Sequence, residues 1–296
     1  MSFLRVVRDA RSFLRGYTRP QMVPKEVVAA QKAAELLKSP LQSNQISLLG
    51  GAPPEVKHAA ANDLFLGEEA VEDKAAAVEL WKQASDAGHK PSTLSYARCL
   101  AEGQGVEPDA KMAVSLLTKL SNEGQGEAMY TLGLLKERQG QHARALDLYL
   151  RASRQGVKPA LYNAANLMAQ AKDDVNARDW YGKAAAAGDP QAMFTLGQWQ
   201  QTGRGGEVNK AGALELLQRA AQAGLPQAQY NLGTHFLEEK EYKLAEEWLL
   251  LAAERGFEKA QLNLGKMYST GFEGVPPNRE KSLYWYRKVV PKVRDD

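Results

Sequence analysis

One glycine recurs at a single place in a helical pattern, as Gly88, Gly124, Gly156, Gly188, Gly224 and Gly256, at steps of 36, 32, 32, 36 and 32 residues. Nine residues after each stands a second small residue: Ala97, Gly133, Ala165, Gly197, Gly233 and Gly265. Two small residues locked at a constant offset through six copies are an internal repeat. A period of this size is the mark of stacked helix pairs, in which no pair can bury its apolar face alone. The chain is therefore expected to be all-α.

The stretch from Gly188 to Gly224 shows the physics of one unit. Pro190 falls in a first helical turn, where its missing N–H costs nothing, and Ala192, Met193 and Leu196 follow at helical spacing. This is a first helix, A. Gly203-Arg204-Gly205-Gly206 interrupts the pattern, and Ala211 to Ala223 resumes it as a second helix, B, which Gly224 closes as a C′ residue. The small residue inside helix A lowers helix propensity, by up to about 1 kcal/mol for Gly against Ala, so it predicts close approach of a neighbouring helix.

The runs Ala228-Gln229-Tyr230-Asn231-Leu232-Gly233 and Ala260-Gln261-Leu262-Asn263-Leu264-Gly265 resemble Sel1-like repeats, relatives of the tetratricopeptide repeat, as does Trp180-Tyr181-Gly182-Lys183-Ala184-Ala185-Ala186-Ala187-Gly188. The family's loop is similar to Gly103-Gln104-Gly105-Val106-Glu107-Pro108-Asp109-Ala110-Lys111 and, more loosely, to Gly271-Phe272-Glu273-Gly274-Val275. The resemblance spans Pro54 to Val290 and implies a right-handed α-solenoid of about seven antiparallel helix pairs. The unit around Ala59 to Gly88 lacks a Leu-Gly pair, and Val293 stands where the last unit would carry its closing glycine, as expected of atypical end repeats.

The domain reading is a basic leader over residues 1–24, a helix and linker over 25–53, and the repeat solenoid over 54–296. Residues 1–50 carry eight Lys or Arg against three Asp or Glu, so of the net charge of +3 the rest of the chain holds a balance of −2. On a helical wheel Arg5, Arg8, Arg11, Arg15 and Arg19 fall within an arc of about 120°, opposite Phe3, Val6, Val7, Phe13, Leu14 and Tyr17. This basic amphipathic pattern resembles a mitochondrial presequence, and Arg15-Gly16-Tyr17 before Thr18 resembles a matrix-peptidase site. The expected location is the mitochondrial matrix or the matrix side of the inner membrane. The alternatives are a helix lying on an anionic membrane surface or docked on a partner.

The residues give little support to chemistry. His58, His89, His142 and His235 are separated by 31, 53 and 93 residues, so a zinc site would need distant repeats to converge. The Gly-x-Gly segments lack a following Lys-Ser or Lys-Thr and a preceding strand, which makes them turns and not phosphate loops. The adjacent acids Glu246 and Glu247, and Asp173 and Asp174, read as solvated faces. Cys99 is the single cysteine and reads as a buried small side chain. No catalytic residue, cofactor or metal ligand is expected, and no apolar run reaches the length of a transmembrane helix.

What remains is recognition. In the tetratricopeptide fold the first helix of each pair lines the concave face, and the resemblance carries this over to Arg98, Asn166, Gln198 and Lys266, one residue after the small position, and to Asn163, Asn231 and Asn263, two before it. Amides there suit a peptide backbone, and Arg98 and Lys266 suit carboxylates. The aromatics Tyr130, Tyr162, Phe194 and Tyr230 are read as packing residues. The expected function is a non-enzymatic scaffold binding protein subunits or peptide segments, supporting assembly of a respiratory enzyme or ribosome. The competing reading is an organellar RNA-associated repeat protein. The near-neutral repeats lack the positive footprint that phosphate-backbone binding requires.

Overall fold

A computed structural model describes residues 49–67, 73–272 and 275–289. The leader over residues 1–24 and the helix expected at the start of the 25–53 segment, over Lys25 to Lys38, lie outside the described residues. The chain divides into two units, Met1–Gly156 and Val157–Asp296. The described secondary structure is fourteen helices, with a lone bridge between Phe272 and Val275.

In the first unit the helices are α1 (Pro54–Leu66), α2 (Lys74–Asp86), α3 (Lys90–Glu102), α4 (Ala110–Asn122), α5 (Gly126–Arg138) and α6 (His142–Arg154). They pair antiparallel as α1/α2, α3/α4 and α5/α6, and each pair stacks on the next through its second helix. Leu64, Leu80, Leu117 and Tyr149 are fully buried between them. The second unit repeats the plan with α7 (Pro159–Gln170), α8 (Asp174–Ala186), α9 (Pro190–Thr202), α10 (Lys210–Gln222), α11 (Pro226–Glu238), α12 (Tyr242–Glu254), α13 (Glu258–Thr270) and α14 (Arg279–Val289). Its core contains Tyr181, Trp199, Leu232, Leu249, Leu264 and Trp285.

Local chemistry starts and stops these helices. Asp73, Asp109, Asp173, Asp189 and Asn209 each accept a hydrogen bond from the backbone N–H three residues on, the position of an N-cap. At the turn from helix B to helix A, Gly188 sits at φ +94°, its N–H donates to the Ala185 carbonyl at 3.1 Å, and the Asp189 N–H donates to Ala184 at 3.1 Å. A side chain would be strained there although nothing stands within 4 Å of its Cβ position. The period-marking glycine is thus a backbone requirement.

The small residue inside helix A has a packing cause, close approach of a neighbouring helix, and that neighbour is the second helix of the same pair. A Cβ on Gly133 would lie 2.6 Å from the Tyr149 ring, one on Gly233 2.8 Å from Leu249, and one on Gly197 3.1 Å from the Ala213 carbonyl. Each partner belongs to helix B of the same pair. The close approach is therefore inside each repeat, and the junction between repeats is built differently. There, buried Gln229 and Gln261 of α11 and α13 donate from Nε2 to the carbonyls of Ala221 and Ala253 on the preceding helices, at 3.2 and 2.9 Å. At the α2/α3 junction the hydroxyls of Ser85 and Thr93, 2.9 Å apart, replace this bond.

In the longer repeats the Gly-x-Gly loop fills the gap above the previous second helix. A methyl group on Gly205, at φ +69°, would overlap the Asp174 carbonyl, and one on Gly105, at φ +70°, would overlap that of Lys74. These loops are turns wedged onto the start of a helix.

Candidate functional site

The seven residues expected to meet a partner divide between the two units. Arg98, on α3, belongs to the first. Its Nε donates to Thr131 Oγ1 at 3.2 Å and its Nη2 to Glu127 Oε2 at 3.3 Å, both on α5. The guanidinium is exposed but joins two successive first helices, so it is a positioning contact as well as a candidate ligand for a carboxylate.

The other six lie in the second unit at repeat-equivalent places. Asn163 and Asn166 stand one turn apart on α7, Gln198 is exposed on α9, Asn231 is half-buried on α11, and α13 carries half-buried Asn263 and exposed Lys266. Asn166 Oδ1 accepts from the Tyr181 hydroxyl at 2.6 Å, which ties α7 to α8. Burial pushes the Tyr181 phenol up to about 12, so it remains a donor throughout the neutral range. Thr234 Oγ1 donates to the Asn231 backbone carbonyl at 2.8 Å. The six are five uncharged amides and one lysine, carried by the first helices of four successive repeats.

The half-buried aromatics three residues before the small position are packing residues in part. The Tyr130 and Tyr149 ring centres are 5.7 Å apart, those of Tyr162 and Tyr181 5.7 Å, and those of Tyr230 and Phe257 5.2 Å. The last repeat carries Leu262 at this place, 43% exposed.

Several ordered polar groups were not legible in the sequence. Asp174, expected on a solvated face, binds Arg204 through both carboxylate oxygens, and this hydrogen bonding holds its carboxyl below the usual range. Glu246, also expected to be solvated, accepts from the Tyr268 hydroxyl. Arg178 donates to the carbonyls of Arg204 and Glu207 at 3.3 and 2.8 Å and so fixes the loop they belong to. His58 and His89 converge to 5.0 Å between ring centres although 31 residues separate them. Among the described residues no group of three or more His, Cys, Asp or Glu is placed to hold a metal, and no helix is long and apolar enough to cross a membrane. Cys99 is buried, and that burial pushes its thiol up to about 11.

The Sel1 repeat matches the chain in seven consecutive segments, residues 64–89, 92–125, 126–157, 159–189, 190–225, 226–257 and 258–288. The chain belongs to the Sel1 repeat family. Each Sel1 segment from the second onward coincides with one helix pair, and the first begins inside α1. Among solved structures, a Sel1 repeat protein from Oxalobacter formigenes superposes with a TM-score of 0.75 at 22% identity, over 97% of this chain and 89% of that one. A protective antigen of uropathogenic Escherichia coli with an SLR fold superposes with a TM-score of 0.67 at 20% identity, over 98% of this chain and 64% of that one. At these identities the likeness is one of fold.

Two curated relatives of this Sel1 chain are chitin synthase regulatory factor 3 of Schizosaccharomyces pombe, 28% identical over 228 residues, and chitin synthase regulator SKT5 of Saccharomyces cerevisiae, 30% identical over 245 residues. Each alignment covers 74% of this chain, but only 22% and 35% of the respective relatives. The chain spans about a quarter to a third of their length, so the likeness concerns the repeat region.

Proposed function

We propose that this protein is a non-catalytic adaptor whose second unit holds a peptide segment of a partner subunit against the first helices of its repeats. The observation that carries the reading is the recurrence of amides on the first helices, Asn163, Asn231 and Asn263 two residues before the small position and Asn166 and Gln198 one residue after it, where Lys266 stands in the last repeat. Such a row can bond an extended or helical backbone while Lys266 meets an acidic side chain. The relatives named as regulators of a synthase support a role in controlling or assembling a larger enzyme. The basic amphipathic pattern of residues 1–24 supports a mitochondrial setting, on the matrix side, where that assembly would be a respiratory enzyme or the ribosome.

The test is affinity capture of the chain tagged at its C-terminus from intact organelles, with N-terminal sequencing in the same sample. A defined set of inner-membrane or ribosomal subunits, lost in Asn231→Ala/Asn263→Ala and accompanied by a start at Thr18, is expected. Capture unchanged by the double substitution would remove the amide face from the reading. An intact Met1 with partners outside the organelle would remove the mitochondrial setting.

A further inference from the structure

Where the first repeat meets the second, one serine faces two imidazoles, one from α1 and one at the start of its own helix. His58 Nδ1 on α1 lies 3.0 Å from Ser92 Oγ on α3, and His89 Nδ1, at the N-cap of α3, lies 2.8 Å from the same oxygen. Ser92 is fully buried, and the two rings stand 5.0 Å apart.

The proton positions follow from counting donors. The Ser92 backbone N–H donates to His89 Nδ1 at 3.4 Å, so that nitrogen presents a lone pair and His89 carries its proton on Nε2. The Ser92 hydroxyl hydrogen points to the same lone pair. Ser92 Oγ is then left to accept, and its second neighbour, His58 Nδ1, must be the donor. His58 is therefore the Nδ1–H tautomer and His89 the Nε2–H tautomer, both neutral. A proton added to His89 Nδ1 would remove the acceptor that caps α3 and leave two donors facing one hydroxyl.

The surroundings favour the neutral pair. Burial, then the neighbouring His89, brings His58 down to about 4; burial also lowers His89, opposed by the Glu55 carboxylate of α1. The other charged groups on the elements that meet here are engaged or peripheral. Lys57 of α1 donates to the Gly50 carbonyl at 2.8 Å and to Gln83 at 3.1 Å. Lys90 of α3 pairs with Glu123 at 2.8 Å. On α2, Glu79 accepts from Gln83 at 3.0 Å, and Lys82 and Asp86 are exposed.

We infer that the His58–Ser92–His89 relay is an acid-sensitive latch that keeps α1 docked on α3 while both imidazoles are neutral and releases it when they charge. Both histidines have folded values below the ordinary 6.5, so the latch is complete above that pH and is lost as the pH falls toward 4.

Long-range proton–nitrogen spectra of the full chain test the relay, with His58→Gln and His89→Gln assigning the two rings. The expected result at pH 7 is His58 as the Nδ1–H tautomer, reverting to Nε2–H in Ser92→Ala; His58 as Nε2–H in the parent would overturn it. Amide exchange, corrected for its intrinsic pH dependence, reads the latch. Protection of α1 should fall at least tenfold between pH 7 and pH 4, ahead of α9 to α12. The substitution His89→Asn supplies a cap that cannot charge and should reduce that fall. Loss of α1 protection in step with the second unit, or unchanged by His89→Asn, would refute the latch.

Discussion

The guanidinium of Arg204 bonds both carboxylate oxygens of Asp174, at 3.1 and 2.8 Å, while its carbon lies 4.1 Å over the centre of the Trp199 ring. One loop residue therefore joins the end of α9 to the start of α8, in the preceding repeat. An exposed ion pair alone contributes little. The stacking on Trp199, itself 6% exposed, is what salt does not screen.

Arg204→Ala should accordingly lower the melting temperature by nearly the same amount at about 0.1 M and about 1 M salt, whereas Asp174→Asn should have an effect that fades as salt screens the pair. Melts at both salt concentrations decide this. An Arg204→Ala effect that disappears at high salt would leave the pair, and not the stack, as the contact that matters.

Two helix glycines should respond in opposite directions to alanine. Gly133→Ala forces a methyl group to within 2.6 Å of the Tyr149 ring and should cost about 1–3 kcal/mol. Gly182, on α8, has nothing within 4 Å of its Cβ position, and Gly182→Ala should stabilise by up to about 1 kcal/mol. Urea denaturation of the two variants measures both signs.

Gly140, Lys172 and Lys240 occupy the same turn between helices A and B, at φ +71°, +61° and +62°. Only the first suits that left-handed conformation. Lys172→Gly and Lys240→Gly should each stabilise by about 1 kcal/mol, and Gly140→Ala should destabilise by a similar amount. Equal midpoints for Lys172→Gly and the parent would contradict this.

The Oε1 of buried Gln229 has no hydrogen-bond partner, and Met129 and Met193 stand at the equivalent place in other repeats. Gln229→Met should therefore be neutral or stabilising within about 1 kcal/mol, despite loss of the bond to Ala221, because that carbonyl still accepts from Gly224 N–H at 3.0 Å. A loss of several kcal/mol in chemical denaturation would show that the amide is essential to the α10/α11 junction.

Tyr181 is raised to about 12 by burial, above its ordinary value of 10.0, so the neutral phenol is the form the fold favours. Its contribution is complete below pH 10 and is lost as the pH rises toward 12. Ultraviolet titration should show late-ionising tyrosines, and Tyr181→Phe should remove one of them, leaving Tyr268, which burial and its bond to Glu246 also hold up.

The turns were the most legible part of the fold. Gly188 and its equivalents need positive φ, a property of one residue and its immediate neighbours, so the period was visible without any long-range contact. Capping acids such as Asp109 and Asp189 also act over only three residues. The candidate amides were picked out by the resemblance to the tetratricopeptide fold, applied at positions that the period marks. Arg98 was placed there too, but its bonds to Thr131 and Glu127 were not visible, because they span 33 and 29 residues.

The sequence by itself determined the helix pairs, their number and the small residue each first helix must carry. These depend on local dihedral preference and on a repeated apolar pattern. Tertiary structure decided which surface Gly133, Gly197 and Gly233 face, which carboxylate Arg204 finds, and that His58 and His89 share Ser92. Each of these joins groups that a full helix or more keeps apart in the chain, and only packing of one helix against another sets their separation.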